Sequence, residues 1–79
     1  MSNIFVIINE WETDKGGTGS EPVDWIYWAT ERKAWEYLRH LAAGVDVELT
    51  EGEFSFSPPT LSPGIIYEEY YVQELTPSG

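Results

Sequence analysis

Hydrophobic positions along the chain fall into windows of different period. Residues 4–12, "IFVIINEWE", open with five apolar residues rich in β-branched types and then begin to alternate. Such a run predicts a strand buried on both sides and central in its sheet. "TDKGGTGSEP" follows, with three glycines and a proline, and reads as a mobile loop. "VDWIYWA", residues 23–29, predicts a second strand, antiparallel to the first across that long connection.

The period then becomes helical. Thr30 suits an N-cap, since its hydroxyl can accept from an early helical amide, and Glu31 follows in the first turn, where the helix dipole favours an anion. A helix over 31–43 would stop at Gly44 in a left-handed cap. Its apolar stripe is Ala34, Trp35, Leu38, Leu41 and Ala42, with Tyr37 at one edge. Arg32, Lys33, Glu36, Arg39 and His40 fall outside the stripe and form a solvated face, with Glu36 spaced to pair with Arg32 or His40.

Residues 45–64 carry the weakest pattern. Val45, Val47 and Leu49 alternate, as do Phe54 and Phe56, which suits a short accessory hairpin around "TEGE"; "SPPTLSP" then reads as an extended, proline-stiffened connection. The last window, "IIYEEYYVQEL" over 65–75, is a strand that pairs with the free side of the first, and the tail "TPSG" reads as frayed. This strand sets Tyr67, Glu69 and Tyr71 on one side and Glu68, Tyr70 and Glu74 on the other. The expectation is one α+β domain over residues 1–79. It is a ββαβ fold whose three-stranded antiparallel sheet, in order 2-1-3, packs one face on the helix. A single helix covers one face of such a sheet. The other must be covered by residues 45–63, by a second copy or by a partner, and a strand with rings on both sides suits that arrangement.

Composition narrows the function classes. At 79 residues the chain has room for one core, and its four Trp, five Tyr and three Phe must supply much of the burial. The absence of cysteine excludes disulfides, thiolate metal sites and cysteine nucleophiles. The longest purely apolar run, "IFVII", is far shorter than a membrane span, and no signal-peptide pattern precedes it, so the expected location is cytoplasmic.

Net charge is −10, unevenly spread. Outside residues 32–40 there are thirteen carboxylates against one lysine, Lys15, a net of −12. Such a field repels nucleic acid and anionic membrane and favours a basic protein surface as partner.

No catalytic or cofactor motif survives scrutiny. In "KGGTGS" the lysine precedes the glycines and a proline and strand follow, whereas a phosphate loop needs lysine and a hydroxyl after the last glycine, at a helix start. Asp46, Glu48 and Thr50 imitate the opening of a calcium loop, but the turn glycine falls at 52 and Ser57 stands where a bidentate acid belongs. His40 lies on the polar side of the helix beside Arg39, with no buried acid to hold it as a general base. Glu68 and Glu69 point to opposite sides of their strand and cannot flank one bond. The reading is therefore not an enzyme, with no cofactor and no metal site. Glu10, Glu12 and Asp14 share one side of the first strand if it extends that far, about 6.7 Å apart in succession. That row loosely imitates a nucleic-acid backbone, and it equally serves to keep a small sheet soluble.

The order "IFVIINEWE", "WATERKAWEYLRHLA", "YEEYYVQEL" resembles the small acidic accessory proteins of tailed-phage genomes. The resemblance covers about two thirds of the chain. It concerns pattern, and no ligand motif comes with it. It implies a protein working in a host cytoplasm that binds and blocks a host or defence protein, in some cases as a DNA mimic. The expected function is an acidic protein-binding module, an inhibitor or adaptor for a basic protein. Its contact residues would be Glu10, Trp11, Glu12, Tyr67, Glu68, Glu69, Tyr70 and Tyr71. The alternatives are a structural homodimer without a separate target and, further off, a small enzyme or metal-binding protein.

Overall fold

The computed structural model describes residues 3–76. Within them β1 (Ile4–Thr13), β2 (Thr18–Trp28), α1 (Glu31–Ala43), β3 (Ser55–Phe56) and β4 (Ile65–Leu75) follow in chain order. All strand pairings are antiparallel, and the sheet order is β2-β1-β4-β3. The α+β class, the β1–β2 hairpin, the helix bounds and the flanking of β1 by the last strand all agree with the sequence pattern. The three-stranded 2-1-3 sheet does not, because a fourth short strand closes the outer side of β4.

That strand comes from the segment read as a hairpin around "TEGE". The turn there is closed by Glu53, whose carboxylate accepts from the Thr50 N–H at 2.8 Å and from the Thr50 hydroxyl. Trp35 Nε1 donates to the Glu53 carbonyl at 2.8 Å and ties the turn to the helix. The chain beyond it turns to β4. Ser55 and Phe56 pair with Tyr71 and Tyr70, and the Phe56 ring stacks on Tyr70 at 5.0 Å. Residues 45–49 form no strand.

Two further local expectations are corrected. The connection read as a loop over 13–22 is mostly strand: β2 begins at Thr18, and a tight turn remains, with the Thr13 N–H donating to the Gly17 carbonyl at 2.7 Å. Gly44 is right-handed, at φ −65°; the left-handed residue is Asp46, at φ 61°. Asp tolerates that region better than most side chains, and the reversal folds Val47 back towards the helix, its N–H donating to the Ala42 carbonyl at 2.8 Å. Thr30 caps as expected, its Oγ1 accepting from the Lys33 N–H at 3.2 Å. The expected frayed tail lies, for residues 77–79, outside the described residues.

The core forms where the helix stripe meets the sheet. Ile7, Leu38, Ala42, Leu49 and Phe56 are buried together, and Val23, Tyr37, Leu41, Val47, Tyr70 and Val72 pack around them. Residues 45–56 thus reinforce the helix side and leave the opposite face of the sheet alone. The molecule measures 41 × 29 × 19 Å, and the thin dimension is one helix layer on one sheet layer. A helix of 13 residues spans ~20 Å and a strand of 10 spans ~33 Å. Even laid along the strands, the helix is too short to cover their full length.

Candidate functional site

Cross-strand partners share a face, so the register sorts every strand residue. Ile7 belongs to the core, which puts Phe5, Asn9 and Trp11 on its side, opposite Glu74, Tyr70 and Glu68 of β4. The other face carries Ile4, Val6, Ile8, Glu10 and Glu12 of β1. Opposite them stand Leu75, Gln73, Tyr71, Glu69 and Tyr67 of β4, and Tyr27, Pro22, Ser20 and Thr18 of β2. This open face is apolar and aromatic at one end and acidic at the hairpin end. Val6 is 1% exposed there, whereas Tyr27 is 51% exposed.

The eight expected contact residues therefore divide. Glu10, Glu12, Tyr67, Glu69 and Tyr71 come together on the open face; Trp11, Glu68 and Tyr70 lie on the helix side. Tyr70 is engaged with Phe56, and Glu68 accepts from Asn9 Nδ2 at 3.1 Å. Trp11 lies across its β2 partner Gly19 so closely that a Cβ there would stand 2.3 Å from its Cζ2. That glycine is the seat of the indole, and any side chain would displace it. Asp14 falls in the turn, so the acidic row on β1 is two residues long.

Glu10 stands directly opposite Glu69, a like-charge pair that costs stability unless something positive approaches. Among the described residues the one ion pair is Arg32–Glu36, at 3.3 Å on the exposed helix face, so no basic side chain of this region neutralises Glu10, Glu12 or Glu69. The same carboxylates act on the rings between them. Loss of solvent, then the Glu69 carboxylate, then Glu10, raise the Tyr67 pKa; loss of solvent, Glu10 and Glu69 raise that of Tyr71. Both phenols therefore remain hydrogen-bond donors across the neutral range. An open depression of ≈ 460 Å³ at this end is lined by Glu10, Glu12, Thr18, Ser20 and Tyr67, with Trp11 and Gly19.

One aromatic group was not legible as a candidate. Between the pairs Val6–Tyr27 and Ile8–Pro22, β1 supplies Ile7 alone while β2 supplies Val23, Asp24, Trp25 and Ile26. The result is a wide bulge in an edge strand, with Asp24 and Trp25 both left-handed at φ 53° and 55°. Trp25 is 67% exposed, the most of any large apolar residue described. In sequence, "VDWIYWA" reads as regular strand; Asp24 tolerates the left-handed region, but Trp25 after it gives no signal of such a turn.

No group of three or more His, Cys, Asp or Glu among the described residues is placed to hold a metal ion. No described helix is long and apolar enough to cross a membrane. Comparison with protein-family models, with curated proteins and with solved structures finds no match to this chain.

Proposed function

We propose that the protein is a binding module whose open sheet face, acidic and aromatic, docks on a basic protein surface, in the manner of an inhibitor or adaptor. The observation that carries this reading is the pairing of Glu10 with Glu69 beside Tyr67 and Tyr71, on the sheet face away from the helix, which no described helix or strand packs against. Large rings supply interface energy, and surrounding carboxylates steer encounter with a cationic partner. A second copy meeting this face with its own suits it less well, because Lys15 is the only cation outside residues 32–40, so a face-to-face dimer would offer little charge to Glu10, Glu12 and Glu69. The acidic face also suits a DNA mimic, although three carboxylates, two on β1 and one on β4, make a sparse imitation of a phosphate row.

The test starts from capture out of the cell in which the protein works, at low and high salt. The captured partner is then purified and its association kinetics are measured. Reversing Glu10, Glu12 and Glu69 to lysine should slow association at least about tenfold and leave the circular dichroism spectrum intact. Reversing Glu68, on the other face, or Arg32, Lys33 and Arg39, should change it far less. Loss of binding through the helix reversals, with the sheet reversals silent, would move the functional face to the helix.

A further inference from the structure

Two adjacent non-glycine residues in the left-handed region are costly, and for a residue as bulky as tryptophan the conformation is a true outlier. Such strain persists only where the surroundings enforce it, and it concentrates at sites of function. Here the helix enforces it from both sides. Tyr37 donates its hydroxyl to the Asp24 carboxylate, and the Tyr37 ring packs on Trp28 at 5.3 Å between centroids. Val23, at the start of the bulge, packs against the core. The brace fixes the residues around Trp25 and leaves Trp25 itself exposed.

Protection of an edge strand explains a bulge but not this residue. Glycine or asparagine would guard the edge with less strain, and lysine would do so without an exposed indole. A bulge can also re-aim a side chain at the rim of a site, and this one lies two residues before Tyr27, on the open face. Glu21, four residues before Trp25, is exposed on the helix side opposite Asn9, and the Asp24 carboxylate is taken up by Tyr37.

We infer that Trp25 is an anchor of the partner interface and that its occupant is an arginine side chain of a basic protein segment. A guanidinium can lie flat on the indole face while the surplus of carboxylates outside residues 32–40, a net of −12, draws its charge in, a combination that lysine matches less well. This rests on the binding-module reading and names a residue of that interface that the acidic face alone would not.

The probe is a short arginine-rich peptide spaced with glycine and serine, alongside its lysine and neutral citrulline counterparts, with binding read by fluorescence anisotropy at low salt. Asparagine accepts the left-handed region, so Trp25→Asn removes the ring without adding strain. The expected result is arginine-peptide binding to the wild type, weakened about tenfold by Trp25→Asn, with a Tm equal to or above that of the wild type. Binding that survives Trp25→Asn but falls on reversal of Glu10, Glu12 and Glu69 overturns the anchor and leaves the acidic face standing. The converse pattern supports the anchor and removes those acids from the interface. Equal weak affinity for the arginine and citrulline peptides overturns both readings. A marked fall in Tm for Trp25→Asn would make the ring structural and overturn the anchor.

Discussion

Tyr37, Tyr67, Tyr70 and Tyr71 all hold their phenol protons more tightly than the ordinary value of 10.0. The causes differ. For Tyr37 the bond to Asp24 leads; for the three on β4, loss of solvent leads and neighbouring carboxylates add to it. Because the folded pKa lies above the unfolded one, each contributes stability that is whole below about pH 10 and is lost as pH rises through the folded pKa. Unfolding free energy should therefore be insensitive to these groups at neutral pH and fall in the alkaline range. The check is tyrosinate absorbance of the native protein set beside denaturant unfolding at rising pH. Native tyrosines titrating with the same midpoint as the unfolded chain would contradict the packing described around β4.

At the scale of elements, the helix carries more than its own stability. Leu38 is 0% exposed and sits at the centre of a cluster to which β1, β4 and residues 47–56 all contribute. Leu38→Ala should cost about 2–5 kcal/mol, a large share of the stability of so small a domain. Chemical denaturation followed by circular dichroism measures it. A variant that unfolds at the wild-type denaturant concentration would show that the helix does not bury this face. The bulge depends on the same packing, since Tyr37 and Trp28 brace it, and loosening the helix should release Trp25 as well.

For the whole molecule, charge separation dominates. The helix holds three of the four basic residues, and the rest of the chain carries −11 with Glu10 set against Glu69. Repulsion of that kind is relieved by counterions, and the screening length falls to about 8 Å at physiological ionic strength. Added salt should raise Tm at pH 7, in contrast to a protein held together by surface ion pairs. Scanning calorimetry across a salt series is the direct measurement. A Tm independent of salt would mean that these acids do not oppose one another in the folded state.

The chain by itself determined the elements whose signal is local. The Thr30 cap, the helical stripe through Leu38 and the apolar opening of β1 were legible because capping, period and β-branched runs act within a few residues. The closing strand was legible too, but its two faces were not, because rings and carboxylates occur on both. Only the register with β1, set by which side Ile7 presents to the helix, decided that Tyr67, Glu69 and Tyr71 lie open while Tyr70 is covered. The short β3 strand and the bulge at Asp24–Trp25 came from tertiary packing. Phe56 found Tyr70 across some fourteen residues of chain, and Asp24 found Tyr37 on the helix. Contacts between distant residues leave no period in the sequence, so the surface that those contacts shape had to come from the fold.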